Sequence, residues 1–237
     1  MVERTNPRQP IFATQAPEFN GVKMFETFED RTSHHAKILI DKFGSTGMHI
    51  VGYSFGALMA SAIALHLQAA NVRFTLTMLD PIPNATCSRR LNDMETYAFI
   101  ADSMTSNKFD FQSRIGSACS SNVLEEEVKK IVGRKGFSLL RRLNSFALSM
   151  NNTLPPKLSS KTLKDATFFM LSDGRSYFEQ SYDEITFADD VNGWSCVFES
   201  FSKQEVLGAY TDFFLTAANI DAISKHLLNI VESFETS

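Results

Sequence analysis

The segment Gly52-Tyr53-Ser54-Phe55-Gly56 carries the residue types and spacing most able to do chemistry in this 237-residue sequence. Met48 to Val51, just ahead of it, is a short apolar run that reads as a strand. Residues 55–70, FGALMASAIALHLQAA, follow it and read as a helix rich in Ala and Leu. A G-x-S-x-G run at a strand-to-helix junction has the context of a nucleophile elbow. The turn is so tight that side chains two before and two after the serine would collide, so glycine is expected at both. Ser54 would be forced into a strained backbone conformation with its hydroxyl above the sheet. The Phe55 N–H would point to the same place as an oxyanion donor, beside the positive end of the following helix. The plainer alternative is a glycine-rich turn with an incidental serine.

A serine hydroxyl needs a base, and the base needs an orienting carboxylate. Val72 to Leu79 is a β-branched and apolar strand ending at Asp80-Pro81, 26 residues after Ser54. In a parallel sheet all strand C-termini share one edge, so Asp80 is expected on the edge that holds Ser54. The alternative is an aspartate that starts a turn before proline.

The elements around these residues alternate. Residues 10–15, PIFATQ, read as a short buried strand, and residues 26–43 read as a helix ended by Gly44 and Gly47. Residues 88–104, 122–132 and 137–150 each read as a helix. Strand signals resume at 167–171 and 194–198, and a final amphipathic helix covers about 218–234. Alternation of this kind predicts an α/β fold with a mostly parallel sheet and helices on both faces. The helical block at about 85–165 reads as a lid inserted over a core of about 10–84 and 166–237, in a single domain spanning 1–237.

The run IVGYSFGALMASAIALHLQA resembles the thioesterase domains of animal fatty-acid synthases and of polyketide and nonribosomal peptide synthases. PIFATQ is similar to their strand before the long helix, and LDPIP to their aspartate strand end. The three helices that follow resemble their lid, and the resemblance runs from about residue 10 to 234. It implies an α/β-hydrolase fold with Ser54 as nucleophile, Asp80 as orienting acid and the Phe55 N–H in the oxyanion hole. It also implies transfer of an acyl chain from the phosphopantetheine arm of an acyl carrier protein to water or an internal nucleophile. The chain would then belong to a larger synthase and need no metal or other cofactor.

Two features depart from that pattern. The family places a catalytic histidine in the loop before the last helix, but residues 199–215 contain none, and Thr211 or Asp212 stands at its position. Neither replaces imidazole straightforwardly as a base near pH 7. His49 lies about 16 Å from Ser54 along the strand, and His66 about 18 Å along the helix. His34 and His35 are expected to face solvent, and His226 sits well inside the last helix. The family also begins with a strand and loop that supply a second oxyanion donor. Residues 1–9 are too short and polar for that, so either the domain is incomplete here or the sheet closes without the strand.

Composition narrows the alternatives. A formal charge of −4 argues against a nucleic-acid binder, and no apolar run reaches a membrane span. Cys87, Cys119 and Cys196 form neither a disulfide framework nor a metal-ligand spacing, which points to a reduced cytoplasmic compartment. In that compartment the glycosylation sequons at Asn84 and Asn151 mean nothing. The 21 phenylalanines fit a Phe-rich core or an apolar tunnel for an aliphatic ligand. Lys129, Lys130, Arg134, Lys135, Arg141 and Arg142 make either a solvated helix face or a docking patch for an acidic carrier protein. Leu139, Leu140, Leu143, Phe146 and Leu148 would line an acyl groove or form lid core. The functional expectation is a carrier-dependent thioesterase. Its rivals are a thioesterase-like domain that only binds acyl chains or partners, and a small-ester hydrolase.

Overall fold

Four strands, β1 (Met48–Tyr53), β2 (Phe74–Leu79), β3 (Leu163–Leu171) and β4 (Phe198–Val206), pair side by side in chain order, and every pairing is parallel. The structure is a computed structural model. It describes residues 10–14, 17, 25–82, 84, 97–98, 101, 121–152, 158, 163–171, 191, 193–208 and 216–235. Parallel neighbours need crossovers. The crossover from β1 to β2 is the helix α2 (Phe55–Ala69), and α1 (Phe28–Phe43) precedes β1.

Side chains alternate across the sheet, and each face has its own cover. Met48 and Ile50 of β1 and Phe74 of β2 pack with Ala36, Leu39 and Ile40 of α1 and with Ile63 and Leu67 of α2. The opposite face carries Tyr53, Leu79, Phe169, Leu171 and Val206. It packs on Ala222, Ile223 and Leu227 of the final helix, which spans Ala217–Glu235 after the helix α3 (Ser121–Asn152) and is labelled α4. Three of the four phenylalanines of β3 and β4 are solid core, and Phe201 is exposed. Phe168, Phe169 and Phe198 are fully buried, and Phe168 packs edge-on to Phe198 and Phe201.

Two sequence expectations need correction. Residues 10–14 form no strand, and Ile11 and Phe12 are more than half exposed. Phe12 instead lies against the Phe43 ring, with the Lys42 ammonium over it, so its apolar character serves the end of α1 and not the sheet. Residues 194–196 are one turn of 3₁₀ helix, and the last strand runs 198–206. The segment ESFSKQEV, read as loop, is therefore sheet. The expected helix at 88–104 lies mostly outside the described residues, though 97–98 and 101 are helical.

The chain divides into two compact units. One comprises Met1–Thr14, Glu29–Thr86 and Pro155–Ser237 and contains the sheet. The other comprises Gln15–Phe28 and Cys87–Leu154 and contains α3. Within α3, Gly133 has φ 69° and ψ 175°, a conformation that only glycine adopts readily, and it separates two helical segments. After it, Leu140 is fully buried while Leu139 is 48% exposed. These two leucines therefore do not line one groove, and Phe146 and Leu148 lie outside the described side chains.

Among the described residues no helix is long and apolar enough to cross a membrane.

Candidate active site at the strand ends

The elbow begins with a steric requirement at Gly52. A β-carbon there would sit 2.4 Å from the Gly56 carbonyl oxygen and 2.5 Å from the Ala57 Cα. Both are backbone atoms and cannot move aside, so the chain can fold back from β1 into α2 only over glycine. Gly56 is different, since a β-carbon there would meet nothing within 4 Å. The expected collision thus explains the first glycine and not the second.

Ser54 lies between β1 and α2 with φ 53° and ψ −121°, a region costly for a residue with a side chain. Two backbone bonds hold it there. Its N–H donates to the Leu79 carbonyl at 2.8 Å, and its carbonyl accepts the Ala57 N–H at 3.0 Å. The residue is 5% exposed. Phe55 opens α2, so its N–H belongs to the first turn, where amides have no partner within the helix.

Asp80 occupies the matching place on the neighbouring strand. Tyr53 pairs with Leu79, and Ser54 and Asp80 are the next residues of their chains. Asp80 also has positive φ, 40°, and its N–H donates to the Phe169 carbonyl at 2.7 Å. Its carboxyl is buried and pushed up to about 6, from 3.8, by the loss of water around it. A hydrogen bond from the Leu171 backbone N–H works in the opposite direction. The carboxyl thus reaches towards the end of β3.

The histidines are engaged elsewhere. His226 of α4 is hydrogen-bonded through Nε2 to Thr77 Oγ1 at 3.0 Å, with its ring against Phe169. Thr77 lies three residues before Asp80, about 10 Å back along the strand. His49 is bonded through Nδ1 to Thr75 Oγ1 at 2.6 Å and lies edge-on to His226. Burial, and then His226, lower its pKa to about 4. Burial also lowers that of His226. His66 meets Thr32 Oγ1 and the Glu29 carboxylate, each at 3.3 Å, and so ties α2 to α1. His34 is exposed, whereas His35 is buried, contrary to the expectation for it.

Thr211 and Asp212 lie outside the described residues. The ends of their loop are secured by a side chain that sequence reasoning missed. Asn219, in the first turn of α4, donates to the Leu207 carbonyl at 2.7 Å and accepts the Leu207 N–H at 3.0 Å.

A second buried amide acts in the same way behind β2. Asn84 donates to the carbonyls of Leu158 and Gly193 at 2.9 and 3.1 Å and accepts the Leu158 N–H at 3.0 Å. Nearby, the Trp194 indole N–H donates to the Ile82 carbonyl at 2.8 Å. Asn84 is 4% exposed, so a glycan on it would have no room in this fold. Among the described residues, no group of three or more His, Cys, Asp or Glu could hold a metal ion.

No known family profile matches this sequence, and no curated protein sequence matches it. Solved structures do. A four-domain nonribosomal peptide synthetase bound to AMP and glycine aligns over 87% of this chain with a TM-score of 0.67 and 14% identity. This chain spans only 16% of that one. The thioesterase domain that cyclises the lipopeptide antibiotic surfactin aligns over 86% of this chain and 75% of its own, with a TM-score of 0.53 and 16% identity. Human thioesterase 2 aligns over 87% and 82%, with a TM-score of 0.53 and 18% identity. The fold is thus the α/β-hydrolase fold of the synthase-type thioesterase domains, at low sequence identity.

Proposed function

We propose that this domain is a serine-nucleophile thioesterase that takes an acyl chain from the phosphopantetheine thioester of a carrier protein, within a larger synthase. The observation that carries this reading is Ser54 held at φ 53° in a strand-to-helix turn beside Asp80 at the next strand's end. Ser54 Oγ would attack the thioester carbonyl, and the thiol of the arm would leave. The Phe55 N–H would steady the oxyanion of the tetrahedral intermediate. Water or a nucleophile on the acyl chain would then release it from the serine. Asp80 is the orienting carboxyl. At pH 7 it is mostly ionised, since burial raises it only to about 6.

A second reading has its own support. His49, His66 and His226 are bonded to threonines on the sheet face and on α1. An unassisted serine is a poor nucleophile at neutral pH, and loss of a triad base costs several orders of magnitude in rate. Such a domain would bind acyl chains or partners with little turnover.

A serine-directed fluorophosphonate probe separates the two. Labelling of the wild-type chain that disappears in Ser54→Ala supports the nucleophile. Absence of labelling in the wild type, with the fold intact by circular dichroism, favours the binding module.

A further inference from the structure

β4 is the last strand of the sheet on one side, and among the described residues it pairs with β3 alone. It runs nine residues, Phe198–Val206, without a proline. Glu199, Ser200, Phe201, Ser202, Gln204 and Glu205 are all exposed, so both of its faces meet solvent. An edge strand presents a row of backbone N–H and C=O groups to any strand that can approach it. Proteins commonly blunt such edges with short strands, prolines or bulges, and β4 has length and regular pairing instead.

The side chains select what can approach. Residues directly opposite in an antiparallel pair interact, and like charges there are destabilising. When two copies of β4 run antiparallel about a two-fold axis, the residue on the axis faces itself. With the axis at Ser202, Glu199 of each copy faces Glu205 of the other. With the axis at Lys203, two ammonium groups meet. With the axis at Ser200 or Gln204, only residues 198–202 or 202–206 pair, and the Leu207 N–H and carbonyl are already taken by Asn219. With the axis at Phe201, residues 198–204 pair. Lys203 of each copy then faces Glu199 of the other, Ser200 faces Ser202, and Phe201 faces Phe201. Glu199 joins no ion pair within the chain among the described residues, whereas Lys203 Nζ meets Glu205 at 3.2 Å. Phe201 is partly exposed and edge-on to the buried Phe168 at 5.6 Å, so this register carries the phenylalanine cluster across the axis. Ser200 and Ser202 are held by Asp165 and Thr167 of β3, so neither hydroxyl loses its partner.

We infer that β4 is a self-association edge, along which two copies of this domain join antiparallel in register on Phe201. The two four-stranded sheets become one continuous sheet. The contact is self-complementary and closes at two copies. β1, the sheet's other edge, has six residues and no acid, lysine or arginine to set such a register. The pairing uses no residue of the elbow, so it stands or falls independently of the proposed activity.

Sedimentation equilibrium of the full chain tests this. A small interface is a weak one, so the dimer should half-form at about 10–100 µM. Glu199→Lys and Lys203→Glu should each weaken association at least about tenfold, because each sets two like-charge pairs across the axis. The exchange of both, Glu199→Lys with Lys203→Glu, should restore it to within about threefold of wild type, a rescue that damage to the fold cannot produce. Oxidation of single cysteine variants reads the register. Phe201→Cys should cross-link to a covalent dimer at least about fivefold faster than Ser202→Cys, Lys203→Cys or the wild-type chain, since only at the axis do like positions come within disulfide reach. Should Lys203→Glu fold poorly by circular dichroism, Glu199→Lys and the cross-linking keep the test, because Glu199 is exposed. A monomer throughout the concentration range would overturn the inference. So would indifference to Glu199→Lys, faster cross-linking at Ser202 or Lys203, or growth beyond the dimer. Failure of the exchange to restore association in a folded chain would overturn it too.

Discussion

Ser54 and Asp80 each begin where the paired ends of two adjacent parallel strands stop, and both hold positive φ, 53° and 40°. They are joined in series. Ser54 N–H bonds to the carbonyl of Leu79, the residue before Asp80, and Asp80 N–H bonds to the carbonyl of Phe169 on the third strand. Two non-glycine residues thus sit in costly conformations because the ladder beneath them leaves no alternative. That ladder fixes the serine and the carboxyl relative to each other.

The strain makes the two glycines of the elbow unequal. Gly52→Ala should destabilise the fold by about 2–4 kcal/mol, because the new methyl meets fixed backbone. Gly56→Ala should be neutral or stabilising by up to about 1 kcal/mol, since it lies inside a helix with open space around it. Urea unfolding of the two variants checks the contrast.

Asp80 and His49 oppose each other in their dependence on pH. His49 has its pKa held at about 4 against 6.5, so the unfolded chain takes up that proton first and stability falls as pH drops from 6.5 towards 4. Asp80 is raised to about 6 against 3.8. The folded chain takes up that proton first, so Asp80 burdens the fold at pH 7 and the burden lifts as pH falls through 6. Asp80→Asn keeps an acceptor for Leu171 and should stabilise the chain at pH 7 by about 1–2 kcal/mol. The same variant should lose stability more steeply than wild type below pH 6, where His49 and His226 act uncompensated. His49→Gln should do the reverse and flatten the acid side. Unfolding curves between pH 4.5 and 7.5 measure both.

His226 provides a check on the base. Its imidazole is bonded to Thr77, about 10 Å along the strand from Asp80. His226→Gln should therefore leave any Ser54 labelling by fluorophosphonate within about twofold of wild type. A large loss of labelling with unchanged circular dichroism would place His226 in the chemistry.

Asn84 should be costly to remove. Asn84→Ala removes, in a buried place, the amide that bonds the Leu158 and Gly193 carbonyls and the Leu158 N–H, and the Cys196 thiol beside the two carbonyls is only a weak substitute donor. A loss of about 2–4 kcal/mol is expected, read as a lower Tm in calorimetry. Asn84→Asp should be no better, because it loses both donor hydrogens and adds a buried charge.

Much of this was legible in the sequence. Met48–Tyr53, Phe55–Ala69 and Phe74–Leu79 carry strong local signals, and each is an element within two residues of its expected bounds. Position in a parallel sheet then put Asp80 on the edge of Ser54. β4 was hidden because its middle residues, Glu199 to Glu205, are largely exposed on both faces. No apolar alternation marks it, and only pairing with β3 makes it a strand. Ile11 and Phe12 misled in the opposite direction, being apolar and yet exposed. Asn84 and Asn219 were invisible because their partners lie between 12 and 112 residues away along the chain.

The Asn219 clamp has an evolutionary consequence. Both hydrogen bonds of Leu207 go to a side chain in α4, so β4 and α4 are joined by a side chain as well as by the chain between them. Selection on folding therefore acts on Asn219 itself, and selection on any chemistry at Ser54 acts elsewhere, so the two can be lost on separate evolutionary schedules.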